Sequence, residues 1–173
     1  MPVLQFNCIV PAPLHDVWAF HDDVTTALPA LSPPASRVRV ESADLPVRAG
    51  SRVVVRARGP LGLPIRMAAR ILEHAPPRDG PGGSPGGASA YFKDEQTSGP
   101  FAAWLHEHIF TALSPDQTRV TDRVTYTLPL GPLGALADRL FVRRQIAEMF
   151  RHRHEVLRQR FASRPRAAVH SPA

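Results

Sequence analysis

A chain of 173 residues in which 43% of the side chains are hydrophobic is long enough to bury one core and short for two, since domains usually run to roughly 100–150 residues. No apolar run approaches the roughly 20 residues that cross a bilayer, and the lone Cys8 excludes an internal disulfide framework. The net charge of +6 is concentrated: from residue 138 onward nine arginines face Asp138, Glu148 and Glu155, while residues 1–137 balance twelve against twelve.

Twenty of the 21 basic residues are arginine, a bias that a GC-rich genome produces without any partner, and the Arg-rich segment has no interleaved aromatic platform. No nucleic-acid partner and no membrane insertion are therefore expected. The N-terminal "MPVLQFNCIVPAP" lacks a basic start and long apolar middle, which together with the single cysteine sets the expectation of a cytoplasmic protein.

In chain order, "LQFNCIV" alternates in polarity and predicts a strand over 3–10, closed by "PAP". A helical segment follows in "PLHDVWAFHDDVTTAL", where Leu14, Val17, Trp18 and Val24 recur at helical spacing and Pro13 is tolerated in the first turn. Pro29, Pro33 and Pro34 are expected to end it. Amphipathic packing accounts for Trp18 and Phe20, and solvent exposure for His15, His21, Asp22 and Asp23, so none is assigned a function.

"SRVRVESA", "AGSRVVVRARG" and "LPIRMAARILEHA" are rich in β-branched residues or alternate, and predict a meander of three strands. Residues 76–90, "PPRDGPGGSPGGASA", have almost nothing apolar to bury and are expected to form a flexible loop between neighbouring strands. "AYFKDEQ", "AAWLHEHIFTAL" and "TRVTDRVTYTL" give three further strands, separated by "SGP" and "SPDQ" turns. From about Leu133 to Phe161 no proline intervenes. A helical projection sets Leu136, Leu140, Ile146, Phe150, Leu157 and Phe161 in one stripe, with Ala147 among them. The tail from 163 to 173 is expected to be disordered. Together these elements predict an α+β chain, a single domain over 1–162, with a strongly curved antiparallel sheet of about seven strands wrapped around a long C-terminal helix and short helices after the first strand.

Three stretches carry a resemblance: "YFKDEQTSGPFAAWLHEHIF", "VTDRVTYTLPLGPLG" and "LFVRRQIAEMFRHR". They resemble a cyclase/dehydrase-like branch of the SRPBCC superfamily, the START-like or birch-pollen-allergen-like helix-grip proteins, over about residues 3–162. The resemblance implies a β-α-α-β6-α layout with a cavity between sheet and long helix that takes a small hydrophobic or amphipathic molecule. It implies no single activity, because that superfamily spans lipid carriers, hormone receptors, polyketide cyclases and oxygenase domains. The "GPGGSPGGAS" insertion departs from the branch and lengthens one hairpin loop.

Alternation decides which polar residues share a face. Phe92, Asp94 and Gln96 fall together, as do Trp104, His106, His108 and Phe110, and then Val120, Asp122, Val124 and Tyr126. Each set has bulky apolar members, which assigns all three to the concave side. Burying Asp94, Asp122, His106 and His108 without partners costs several kcal/mol each, so a His–Asp pair across strands is expected, with Tyr126 and Gln96 completing the network.

A His-x-His pair with Asp122 as third ligand is the sharpest metal reading. It needs only two histidines and has no cysteine or further histidine nearby, so the expected site is a hydrogen-bonded network without metal or cofactor. An intermediate case has His106 or His108 with Asp122 as an acid/base pair. No G-x-S-x-G elbow appears, and Cys8 has no cue for activation.

On the long helix, Arg143 and His154 fall within the apolar stripe. Arg143 either binds a carboxylate or phosphate of the ligand, or is explained by a helix kinked or rotated there or by pairing with Asp94 or Asp122, the structural explanations being favoured. Tyr126 either hydrogen-bonds a ligand or caps the core.

The expected function is therefore binding of a small hydrophobic ligand, lipid, polyketide or isoprenoid-like. Its polar end would meet His106, His108, Asp122, Gln96 and Tyr126, with Asp94 and Arg143 as further polar candidates. Trp104, Phe92, Phe110, Phe150 and Leu157 would be apolar walls. An enzyme of cyclase or dehydratase type using the His–Asp pair is the alternative. A regulatory module acting through Arg151, Arg153, Arg158 and Arg160 of the basic helix is third. No feature of the sequence encodes oligomeric state or ligand identity.

Overall fold

The computed structural model describes residues 1–59, 62–78 and 87–162. Strand β1 (Val3–Val10) is followed by α1 (Leu14–Asp22) and α2 (Val24–Ala30), and a short 3-10 turn (Pro34–Ser36) leads into β2 (Arg39–Ala43). Strands β3 (Arg52–Arg58), β4 (Pro64–Arg78), β5 (Ser89–Ser98), β6 (Ala103–Ser114) and β7 (Gln117–Thr127) complete one antiparallel sheet in the order β1-β7-β6-β5-β4-β3-β2. The chain closes with α3 (Pro132–Ala137), a π turn (Asp138–Val142) and α4 (Arg143–Ala162). This is the α+β helix-grip architecture expected from the sequence.

Four details differ from the sequence-based expectation. The first helical segment is broken at Asp23, whose carboxylate accepts from the Thr26 backbone N–H at 3.2 Å and so caps α2. Helix α2 also runs through Pro29; it ends one residue later, so the donor that proline lacks costs only a single bond. Strand β4 extends through Pro76, Pro77 and Arg78, and β5 takes Ser89 and Ala90, which shortens the expected 76–90 loop; its centre, 79–86, and the 163–173 tail lie outside the described residues.

The last difference concerns the long helix. An unbroken α-helix would bury Leu136 and Leu140, yet they are 54% and 69% exposed. The π turn, which contains Leu140, rotates the segment leading into α4 so that Asp138 points inward in place of the two leucines. Leu130, Leu133 and Phe141 are exposed with them.

Beyond the π turn the stripe behaves as the periodicity requires. Ile146, Phe150, Leu157 and Phe161 are buried, and Phe150 stacks on Phe6 of β1 with ring centroids 4.7 Å apart. Phe161 meets Phe20 of α1 edge-on, and Trp18 meets Phe110 of β6 the same way. The concave face of β6 and β7 is buried at every second residue, as the alternation predicted.

These packing differences predict opposite outcomes for two leucines on one helical run. Leu157→Ala should lower unfolding free energy by about 2–5 kcal/mol, whereas Leu140→Ser should change it by no more than about 0.5 kcal/mol, both read by urea denaturation.

Candidate functional site

The sheet register brings the site together. Asp94 of β5 lies opposite His106 of β6, and His108 of β6 lies opposite Asp122 of β7, which in turn pairs with Phe6 of β1. All four ionisable side chains share the concave face, and α4 covers them.

Asp122 is the centre of the arrangement, with 1% of its side chain exposed. Its Oδ1 accepts from His106 Nε2 at 3.0 Å, and its Oδ2 accepts from His154 Nε2 of α4 at 2.7 Å. His108 Nδ1 lies 2.8 Å from the same Oδ1, an ion-pair contact whose angle falls short of a hydrogen bond, and this nitrogen has no hydrogen-bonding partner elsewhere. One carboxylate thus gathers three imidazoles from two elements.

On the far side of the two β6 histidines stands Asp94, 14% exposed. Its Oδ2 is 3.7 Å from His106 Nδ1 and 3.8 Å from His108 Nε2, beyond hydrogen-bond length. The imidazoles are themselves 3.7 Å apart, centroid to centroid, and Phe92 stacks on His108 at 3.9 Å.

Electrostatically the two carboxylates are driven apart. Burial alone would raise Asp122, but its electrostatic interaction with His108 and the hydrogen bonds from the surrounding imidazoles outweigh it and hold the carboxyl well below its ordinary value. Burial raises Asp94, with His106 and Arg153 only partly opposing it. His108 is lowered well below the ordinary histidine value, first by burial and then by the neighbouring His106. The shifts run in opposite directions: Asp122 is held toward its anion and orients the rings, while burial favours the protonated form of Asp94 and the neutral form of His108.

The structure moves several predicted residues out of this cluster. Gln96 is occupied by the β5–β6 turn: its Nε2 donates to the Phe101 carbonyl at 2.7 Å, and its Oε1 accepts from the Phe101 N–H at 3.4 Å. Gly99 makes that turn possible, since a Cβ there would collide with Gln96 Oε1. Tyr126 is fully buried and its hydroxyl donates to Asp138 at 2.5 Å; burial first, and then Asp138, push its pKa up to about 12. Arg143 is half exposed and pairs with Asp138 at 3.0 Å, not with Asp94 or Asp122, because the π turn presents Asp138 to both partners. Trp104, Phe110, Phe150 and Leu157 pack in the core around the cluster.

Three residues outside the expected ligand-binding set join the site. His154 completes the Asp122 cluster. Arg153, grouped from the sequence with the arginines of the basic helix, is 8% exposed; its guanidinium lies 5.0 Å over the Phe150 ring and its Nε has no hydrogen-bond partner among the described residues. His21 of α1 is 4% exposed, its Nδ1 bonded to the Val17 carbonyl at 2.8 Å and its Nε2 without a partner. The signal was present: His21 follows Leu14, Val17 and Trp18 at helical spacing, and 153–154 fall between Phe150 and Leu157 in the α4 stripe. Cys8 is buried, and burial together with Asp122 pushes its thiol up to about 12, which removes it as a nucleophile.

A depression of about 470 Å3 opens between α4 and the end of β3, lined by Pro33, Ser36, Arg58, Gln145, Met149 and His152, among others. None of the twelve predicted ligand-binding side chains lines it. Met149 connects the two regions, lining the depression and packing against the cluster of Trp104, Tyr126 and Phe150.

The buried imidazoles have a consequence for stability. Burial lowers His21 to about 4 from 6.5, so between these values the unfolded chain takes up a proton that the folded chain refuses. Stability contributed by neutral His21 is present above pH 6.5 and lost as pH falls toward 4. Urea unfolding at about pH 7 and about pH 4.5 should show this loss, and His21→Leu should reduce it.

A family model described as a domain of unknown function, DUF8410, matches residues 87–161, the segment that contains Asp94, both β6 histidines, Asp122 and His154. No curated protein matches the sequence. Among solved structures, the Zhui aromatase/cyclase from Streptomyces sp. R1128 aligns with a TM-score of 0.67 at 16% identity, over 97% of this chain and 98% of that one. A START superfamily protein from Mycobacterium smegmatis aligns with a TM-score of 0.63 at 14% identity, over 92% and 97%. TTHA0849 from Thermus thermophilus aligns with a TM-score of 0.62 at 20% identity, over 94% and 100%. The chain therefore has the START-like helix-grip fold that its sequence motifs resemble.

Proposed function

We propose that this protein binds a small hydrophobic or amphipathic molecule between the concave sheet and α4, with the molecule's polar end at Asp94, His106 and His108. The observation that carries the reading is that two buried polar atoms, His21 Nε2 and Arg153 Nε, have no hydrogen-bond partner among the described residues, while His108 Nδ1 has only its short contact with Asp122, beside an ionisable cluster in an apolar interior. A folded chain keeps such groups dry only at a cost, and a ligand bearing oxygen atoms offsets it. Met149, unbranched and set between the depression and the core, is suited to move aside for the apolar body. The likeness to START-like and aromatase/cyclase structures supports a lipid, polyketide or isoprenoid-like ligand. Residues 1–162 act as one ligand-binding domain in this reading, and its setting is the cytoplasm.

A second reading has one observation behind it, the opposed shifts of Asp94 and His108. A carboxyl group whose burial favours its protonated form, beside an imidazole whose burial favours its neutral form, tends toward the pairing that aldol cyclisation and dehydration need: the imidazole removes a proton next to a carbonyl and the acid donates to the oxygen that becomes hydroxyl or leaves as water. The acid in this pair is Asp94 in place of Asp122, which is fixed as an anion.

The test is native mass spectrometry of the full chain with a panel of fatty acids, naphthoquinones and aromatic polyketides. A one-to-one adduct with at least one class is expected, lost or weakened at least tenfold in Met149→Trp at an unchanged Tm. No adduct with any class would overturn the reading. If an adduct is also converted to a cyclised or dehydrated product, His106→Ala with His108→Ala should abolish conversion.

A further inference from the structure

The gap between Asp94 and the two β6 histidines has a width that hydrogen bonding does not explain. Oxygen and nitrogen atoms at 3.7 and 3.8 Å are too far apart to share a proton, yet His106 Nδ1 and His108 Nε2 are turned toward the same Asp94 oxygen. Three potential ligand atoms, one from each residue, all lie within 4.8 Å of one another. An ion bonded at about 2.0–2.2 Å to two imidazole nitrogens and a carboxylate oxygen holds its ligands about 3.0–3.4 Å apart. The two separations from Asp94 Oδ2, 3.7 and 3.8 Å, exceed that range by less than about 1 Å, and the third lies within 4.8 Å, so a modest side-chain adjustment brings all three atoms onto one ion.

The rings are also oriented for this. Asp122 accepts from His106 Nε2, which puts that ring's proton on the buried side and leaves the Nδ1 lone pair facing Asp94. His108 presents Nδ1 to the same Asp122 oxygen at 2.8 Å and turns Nε2 outward. A carboxylate behind two histidines, fixing their tautomers and ring planes, is the usual outer support of a metal-ligating imidazole. His154, on the other Asp122 oxygen, keeps that carboxylate in place.

We propose that Asp94, His106 and His108 form a binding site for one divalent first-row transition ion, with Asp122 as the positioning carboxylate behind both histidines. Two imidazoles and one carboxylate occupy one side of the ion and leave positions open toward Asp94, the most exposed of the cluster. This differs from the ligand set read from sequence, in which Asp122 was the third ligand. Two hydrogen bonds from imidazoles already occupy Asp122, and it lies on the wrong side of the rings. An oxygen-bearing ligand in the interior could use an open position, but the site does not depend on one.

The experiment uses the full chain stripped with a chelator and titrated with Zn2+ by calorimetry and with Co2+ by visible absorption. One ion per chain is expected, with Co2+ giving ligand-field bands of a four- or five-coordinate centre. Asp94→Asn and His108→Ala should each weaken Zn2+ at least tenfold, with folding checked by circular dichroism, and Asp122→Asn should weaken it about 10- to 100-fold. Should Asp122→Asn fail to fold, Asp94→Asn, at the cluster's exposed edge, decides. Absence of stoichiometric binding, or binding untouched by Asp94→Asn and His108→Ala, would overturn the proposal. The ligand-capture result is separate: capture without metal refutes only the metal site, and metal without capture refutes only the ligand reading.

Discussion

A single buried carboxylate, Asp122, ties α4 to the concave face of the sheet. An ionised group with 1% of its side chain exposed survives only if its oxygens are saturated, and here the donors come from His106 in the sheet and His154 on the helix, with His108 in ion-pair contact. The arrangement therefore links α4 to the sheet across the interior. It also decides which nitrogen of each ring faces inward, and by exclusion what the outer nitrogens can do. Removing the carboxylate would leave buried imidazoles with no acceptor, a larger loss than the contacts themselves.

Around that anchor the fold and the site are one construction. The direct pairing of Asp94 with His106 and of His108 with Asp122 follows from the β5-β6-β7 register, and a slip of one residue would move all four to the outer face. Trp104, Phe110, Tyr126 and Phe150 keep water from most of the cluster, and the resulting burial is what raises Asp94 and lowers His108. Metal binding and ligand binding are compatible uses of the same geometry, since both draw on the outer nitrogens and Asp94, the cluster's most exposed carboxylate.

Strand alternation made much of this legible in the sequence. "DEQ", "WLHEHIF" and "TDRVTY" place Asp94, His106, His108 and Asp122 on one face with no knowledge of the fold, because a β-strand's period of two leaves little freedom. The helix was read less well. A projection assumes an unbroken α-helix, so the π turn at Asp138–Val142 overturned the placing of Leu136 and Leu140 in the buried stripe; a helix kinked or rotated at Arg143 fits that turn, although the partner there is Asp138 and neither Asp94 nor Asp122. Arg153, counted with the other arginines of the basic helix, sits between Phe150 and Leu157 and is turned inward. The Gln96–Phe101 bonds depend on a turn's backbone, which side-chain pattern does not encode.

The central claim is that Asp122 fixes the ring orientation of its histidines. Long-range 1H–15N correlation of the histidine side chains at neutral pH tests it most directly. The account predicts a proton on Nε2 of His106 and of His154, and on Nδ1 of neutral His108 with Nε2 unprotonated. Finding His106 or His154 unprotonated at Nε2, or His108 protonated at Nε2 alone, would contradict it.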